Sequence, residues 1–352
     1  MAVELGPLVA EVKERISLDD LAGRTIAVDA YNTIYQFLTI IRGPDGTPLM
    51  DRRGMVTSHL SGLFYRNISL FEHRITPVYV FDGMPPALKQ RTIEARMRHR
   101  KEAAEEWKAA LEKGMLKEAR VHAVASTKIN REIVASAKEL LGHMGIAWIQ
   151  APSEGEAQAA RMNREGLVYA AGSQDYDLFL FGADTVVRNL TITGRRKLPR
   201  KDVYVDINPE RVELKKLLGS LGLHQKQLIW LGMLMGTDFN EGIEKVGPKT
   251  ALKIVKERRS LKEIAAYVKE KYNTEFEVDP EEIEDTFYKP ETEEIGRHAF
   301  DSKMKEAKPS KEKIVRFMCD DHNFSEERVA KFADTLASLR SSAGQKGIGA
   351  WV

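Results

Sequence analysis

The chain predicts an α/β fold, a mostly parallel central sheet flanked by helices, and two observations carry that prediction. Short apolar runs rich in Val, Ile, Tyr and Phe alternate with amphipathic helical patterns, the order expected of strand–helix–strand crossovers. Most of those runs also close on an acid: TIAVDA carries Asp29, ITPVYVFDG carries Asp82, IAWIQAPSEGE leads into Glu154 and Glu156, and VYAAGSQDYD carries Asp175 and Asp177. Strands of a parallel sheet are buried on both faces and read as near-continuous apolar runs. Acids at their carboxyl ends would therefore gather along one edge, where open α/β sheets place their ligands. Asp238, in GTDFN, is the seventh acid of this set.

Taken in order, strands are expected at 25–29, 75–81, 146–150, 167–171, 185–190 and 203–207, and helices at 54–73, 131–144, 154–165 and 209–219. Between the second and third strands lies an insert, PPALKQRTIEARMRHRKEAAEEWKAALEKGMLKEARVHAVASTKI, whose Ala, Glu, Lys and Arg suit exposed helices with little core to bury. A solvated helical hairpin with no further role satisfies that composition equally. After Asp238 the chain is helical again, with Gly242 and Gly247 marking a turn and Pro248 placed to start the next helix. Helices follow at 310–319 and 325–340, and SSAGQKGIGAWV ends the chain as a Gly- and Ser-rich tail expected to be flexible when alone.

Composition excludes several classes. A chain of 352 residues, 43% apolar and 30% charged, can bury a core, and no stretch approaches the roughly 20 apolar residues of a membrane span. The amino terminus does not read as a signal peptide, so an intracellular protein is expected. Cys319 is the single cysteine; it leaves no internal disulfide and no cysteine-rich zinc site, and its apolar neighbours suit a packed thiol. The formal net charge of +2 is uninformative, but its distribution is not. Positions 83–131 hold twelve Lys or Arg against six Glu, and 195–201 (RRKLPRK) five basic residues. Positions 275–294 hold ten acids against Lys289, a stretch expected to face away from any polyanion.

Each acid has a structural alternative. Ser153 with Glu156 fits a capping box on the 154–165 helix, and Asp29 or Asp82 could cap the helix that follows it. Seven together argue for more. Glu154 with Glu156 and Asp175 with Asp177 repeat an acid-x-acid spacing that can aim both carboxylates to one side of an extended segment. Oxygen-only donors suit Mg²⁺ or Mn²⁺ rather than zinc. A pair of such ions about 4 Å apart can stabilise both the attacking and the leaving oxygen of a phosphodiester.

The blocks IAVDAYNTIYQFL, VTSHLSGLFYRNI, PVYVFDGMPPALKQRTIEARMRHR, APSEGEAQAARM, GSQDYDLFLFGA, GTDFNEGIEKVGPKTAL and FMCDDHNFSEERV occur in order over nearly the whole chain. They resemble the successive signature blocks of the flap endonucleases, the XPG-related structure-specific 5′ nucleases of archaea and eukaryotes. The resemblance implies a PIN-like nuclease core in which Asp29, Asp82, Glu154 and Glu156 serve one Mg²⁺ and Asp175, Asp177 and Asp238 a second, Mn²⁺ being a substitute. It implies one nuclease domain over 1–340, with an N-terminal region over 1–105, a helical arch over 83–131, an internal region over 122–260 and a helix-two-turn-helix over 228–258.

Further roles follow from the same resemblance. Lys89 and Arg96, seven apart on a helix and thus on one side, would act with Asp175 as catalytic residues by polarising the scissile phosphate. Tyr35 would stack on a base, packing beside Phe37 being its structural alternative. Gly247 and Lys249 would track the downstream duplex with a K⁺ ion held by backbone carbonyls. Arg42, Leu49, Thr57, Arg66, Phe324 and Arg328 would bind DNA, most of them around a one-nucleotide 3′ flap. Gln345, Ile348 and Trp351 reproduce the spacing of a peptide that docks on a sliding clamp (PCNA). Four positions depart from the family pattern: Ala2 and Lys245 where glycine is usual, His322 where lysine is, and Val352 where a second aromatic is.

The activity so implied is a monomeric 5′ flap endonuclease, with 5′–3′ exonuclease action, in replication and long-patch base excision repair, in the cytoplasm or nucleoid of an archaeon. A sister 5′ exonuclease with another preferred substrate and a non-catalytic DNA scaffold are the rivals; loss of an acid would signal the scaffold, and none is lost.

Overall fold

The computed structural model describes residues 3–192, 194–197 and 204–345. Its centre is a seven-stranded sheet in the order β1 (Glu14–Arg15), β9 (Glu210–Glu213), β6 (Thr185–Arg188), β5 (Ala170–Gly172), β2 (Thr25–Asp29), β3 (Thr76–Phe81) and β4 (Trp148–Gln150). The five strands from β6 to β4 run parallel, and β9 and β1 close one side antiparallel. The remaining pair, β7 (Gly194–Lys197) and β8 (Tyr204–Ile207), forms a separate two-stranded ribbon.

Alternation along β2 and β3 builds two cores, one on each face. Ala27, Val78 and Val80 point into one, and Ile26, Val28, Tyr79 and Phe81 into the other. The register Ala27↔Val78 and Val28↔Tyr79 keeps like faces together. On the second face lie α2 (Ala30–Ile40), α3 (Ser58–Glu72) and α6 (Arg131–His143); on the first lie α7 (Gly155–Arg164), α8 (Asp177–Leu180) and α10 (Gln225–Met235). Because both faces are covered, the carboxyl edge of β2, β3 and β5 is where polar groups can collect.

The insert forms two helices, here α4 (Gln90–Glu112) and α5 (Leu116–Ala125), after a 3₁₀ turn at Ala87–Lys89. They pack on each other through Ala103, Ala110, Ala119 and Ala123, small residues that bring the helix axes close and leave long polar side chains outside. Downstream come α9 (Leu214–Leu221), α11 (Pro248–Glu257), α12 (Leu261–Tyr272), α13 (Pro280–Tyr288), α14 (Arg297–Glu306), α15 (Lys311–Val315) and α16 (Glu326–Gln345). The helix α1 (Gly6–Val9) completes the set.

Four expectations are corrected. The run at 203–207 becomes β8 of the ribbon, not a strand of the central sheet. The expected helix over 209–219 is split into β9 and α9: Glu210–Glu213 pair with Thr185–Arg188 of β6, Glu210 and Arg211 also with Arg15 and Glu14, and this pairing overrides a helix-like composition. The expected flexible tail from 341 is helical up to Gln345. The acidic stretch is not wholly solvated surface, since Glu282, Asp285 and Glu291 line a cavity of about 440 Å³ together with Ser153 and Glu154.

Candidate active site

The seven acids come from five segments that the parallel topology delivers to one edge. Asp29 ends β2 and caps α2, its Oδ1 accepting the Asn32 N–H at 3.0 Å. Asp82 follows β3, and its Oδ1 accepts the Gly155 N–H at 2.8 Å, so β3 is tied to the start of α7. A Cβ at Gly155 would sit 2.7 Å from that oxygen, which is why the residue between Glu154 and Glu156 has no side chain. Glu154 is the N-cap of α7 but makes no side-chain cap. Glu156 accepts the Ser173 hydroxyl at 2.9 Å, so the capping box with Ser153 does not form. Asp175 follows β5 and accepts from the Asn32 amide at 3.0 Å; Asp177 opens α8 and accepts the Val3 N–H at 2.8 Å.

Asp238 follows α10 and meets the insert. Lys89 reaches Glu154 at 2.6 Å and Asp238 at 3.1 Å, Arg96 pairs with the other oxygen of Asp238, and the Thr92 hydroxyl donates to the Asp238 carbonyl at 2.9 Å. Residues 89, 92 and 96 thus present one side of the helix to the acids.

Mutual repulsion is written into the titration of the cluster. Burial, then the Asp82 carboxyl, pushes Asp29 up to about 8, against the Asn32 N–H. Burial and Glu154 raise Asp82 to about 6, with Lys89 opposing. Burial raises Asp177 to about 7, opposed by the Val3 N–H and reinforced by Asp238 and Asp175. Glu156 is raised well above the carboxylate range by burial and by Asp29, Asp175 and Asp177. Asp175 is raised by burial and Asp238. Asp238 goes the other way: burial works against it, but Lys89 and Arg96 hold it well below the usual range. Burial opposes charge on Lys89 as well, and Glu154 and Asp238 more than compensate.

The donor set fits a hard divalent cation: seven carboxyls and no thiol or imidazole among the named ligands. Among the described residues no three such groups close on a common point as the side chains lie, Lys89 spanning Glu154 and Asp238 instead. Two side-chain cations supply part of the counter-charge the buried acids need.

The expected DNA-binding residues fall into two further groups. Around one, the loop over 43–57 meets the turn after the π-helical segment Arg316–Asp321. Arg52 N–H donates to Asn323, Arg53 to the Asp321 carbonyl, and His322 Nδ1 lies 3.1 Å from Asp51. Leu49 is exposed there, Thr57 is buried with its N–H on the Leu49 carbonyl, Phe324 packs on the second core and Arg328 lies on α16. Arg42 is committed internally, to the Leu38 and Gly46 carbonyls and the Thr127 hydroxyl. Arg66 lies on α3, partly buried. Tyr35 is about a third exposed on α2, so it is not core beside Phe37. In the other group Gly247 caps α11, with Pro248 at its first turn and Lys249 next. Lys245 takes the left-handed backbone, φ +67°, that glycine would adopt there. Gln345 ends α16, and Ile348, Trp351, Val352 and Ala2 lie outside the described residues.

Sequence reading missed Asn32, Ser173, Gln36 and Thr191, and Arg188, whose charge partly offsets the rise of Asp175. Only Asn32 carried a signal, three residues past Asp29 where an N-cap's partner N–H stands.

Fold and site together define an XPG-type α/β nuclease: residues 1–103 match the XPG N-terminal domain and residues 145–238 the XPG I-region. The chain is 50% identical to flap endonuclease 1 of Caldivirga maquilingensis, over 97% of this chain and 95% of that one. It is 48% identical to flap endonuclease 1 of Pyrococcus abyssi, over 100% and 98%. The solved flap endonuclease-1 from Methanococcus jannaschii superposes with a TM-score of 0.72 at 36% identity, over 97% of this chain and 99% of that one. The chain therefore belongs to the flap endonuclease family.

Proposed function

We propose that the chain is a structure-specific 5′ flap endonuclease of DNA replication and repair, cutting a phosphodiester near the base of the flap with two Mg²⁺ ions. The observation that carries this reading is seven acids from five segments, Asp29, Glu154 and Asp177 buried and the other four half-buried, meeting at the carboxyl edge of the sheet, with Lys89 and Arg96 of the insert against them. Asp29, Asp82, Glu154 and Glu156 would hold one ion and Asp175, Asp177 and Asp238 the other; Mn²⁺ would substitute. When bound, such ions supply Lewis-acid charge and activate water for in-line displacement.

The chain's own residues do the rest. Lys89 and Arg96 are cations already facing the site, so an incoming phosphate takes over charges that Asp238 and Glu154 now use, and they stabilise charge developing on the phosphoryl oxygens. The helices α4 and α5 form the arch that receives the single-stranded flap. Tyr35 stacks on a base. Gly247 and Lys249 position the downstream duplex through its phosphates, with a K⁺ ion at that turn, and so carry affinity without sequence preference. Leu49, Thr57, Phe324 and Arg328 frame the one-nucleotide 3′ flap, with Arg42 and Arg66 in support. The enzyme acts as an intracellular monomer and docks on a sliding clamp through Gln345, Ile348 and Trp351. No described helix is long and apolar enough to cross a membrane.

Double-flap DNA incubated with Mg²⁺ and the Asp175→Ala variant tests the mechanism. We expect cleavage to fall by about a hundredfold or more; undiminished cleavage by the variant overturns the assignment.

A further inference from the structure

Asp175 is held by a line of uncharged groups that starts at Thr191, just after β6. The Thr191 hydroxyl donates to Gln36 Oε1 at 3.0 Å, Gln36 Nε2 donates to Asn32 Oδ1, and Asn32 Nδ2 donates to Asp175 Oδ2 at 3.0 Å. Thr191 is 4% exposed. These residues line a cavity of only about 10 Å³ with Val28, Gly172 and Leu190, room for about one water. Thr191 at one end is buried and must find its partner within the protein, while Asn32 and Gln36 are half-buried.

The carboxylate fixes the direction of every bond. Were the Asn32 amide reversed, its Oδ1 would face Asp175 Oδ2, acceptor against acceptor. Since Asn32 must point its Nδ2 at Asp175, its Oδ1 faces Gln36, which must present Nε2 and turn Oε1 to Thr191. Every donor in the line thus points toward the acid, an arrangement in which successive bonds polarise one another. No formal charge is added beside seven acids, yet one oxygen of Asp175 is pinned and the other is left to the site.

We infer that Asn32, Gln36 and Thr191 form a positioning relay that sets the angle of the Asp175 carboxylate toward a bound divalent cation. The inference rests on the reading of Asp175 as a metal-site carboxylate. Partners one step removed from a metal ligand typically contribute about 10- to 100-fold in metal affinity or activity. Thr191 should do so although two residues stand between it and the acid, because nothing else orients Gln36 Oε1 in the described contacts.

The test is Mn²⁺ binding by the DNA-free full chain, followed by electron paramagnetic resonance, alongside flap cleavage and thermal melting. Thr191→Val keeps the shape and removes the donor; Thr191→Ser restores it; Asn32→Ala removes the last link. We expect Thr191→Val and Asn32→Ala to weaken Mn²⁺ by about tenfold and to lower kcat with KM for DNA unchanged. Thr191→Ser should recover both at a melting temperature equal to that of Thr191→Val. Wild-type Mn²⁺ affinity in Thr191→Val, or a loss that Thr191→Ser does not recover, overturns the relay. Asp175→Ala run in parallel separates the two readings. If it binds Mn²⁺ and cleaves as wild type, the metal-site reading falls; if it fails while the relay variants behave as wild type, the relay alone falls.

Discussion

Asp29, Asp177 and Asp82 stand at about 8, 7 and 6, and the sign of their effect on stability follows. An unfolded carboxyl titrates near 4, so between pH ~4 and ~8 the folded chain binds more protons than the unfolded one. Without a divalent cation, stability is therefore highest below pH ~4 as far as these groups decide it, and falls as pH rises toward 8. Thermal melts in EDTA should show that decline, and added Mg²⁺ should raise the melting temperature more at pH 8 than at pH 5. An equal increment at both values would refute a cation site built from these acids. A second residue-scale outcome concerns Gly155. Its Ala variant places a methyl 2.7 Å from Asp82 Oδ1, so we expect Gly155→Ala to lower cleavage nearly as much as Asp82→Ala while both acids flanking it remain in place. The acids were legible in sequence because a charge at the end of an apolar run has few structural reasons to be there. Asn32, Ser173, Gln36 and Thr191 were not, because neutral polar residues in a helix or a strand-end loop carry no comparable cost, and the Asn32–Asp175 and Thr191–Gln36 bonds join positions more than a hundred apart.

Among elements, the turn between α10 and α11 tests what the departure at Lys245 means. The backbone there is left-handed, a conformation costing a non-glycine residue roughly 1–2 kcal/mol. Lys245→Gly should then stabilise the fold by up to about 1 kcal/mol, part of the relief being offset by the entropy glycine gains when unfolded. Chemical denaturation measures it, and a destabilised variant would show that the lysine side chain has its own anchoring role. Other elements were only half legible. The parallel strands and the two helices of the insert follow from pattern, whereas β9 does not: Glu210–Glu213 has the polarity of a helix surface and becomes strand because β6 pairs with all four residues and Arg15 and Glu14 pair on its other side. The capping box predicted from Ser153 and Glu156 fails because Ser173 offers Glu156 a partner from another segment.

At the scale of the molecule, basic residues face the site from α4 while acids from α13 line the cavity on the other side of Glu154. On the proposed reading, a DNA substrate that spans α4 and α5, the turn at Gly247 and the surface around Leu49 contacts many phosphates at once. Its affinity, followed by fluorescence anisotropy in EDTA, should fall on the order of a thousandfold between ~50 and ~200 mM KCl; a shallow dependence would mean that far fewer phosphates are engaged. The strand order has a consequence for how the chain matures. Since β2 lies between β3 and β5, and the acids are scattered from Asp29 to Asp238, no short segment of nascent chain holds a competent set of carboxylates. Long-range parallel pairing forms slowly, and only its completion creates the place proposed for a divalent cation. A cation bound there would select the finished fold over every partly assembled one by mass action, so the proposed metal centre would also serve as a checkpoint on folding.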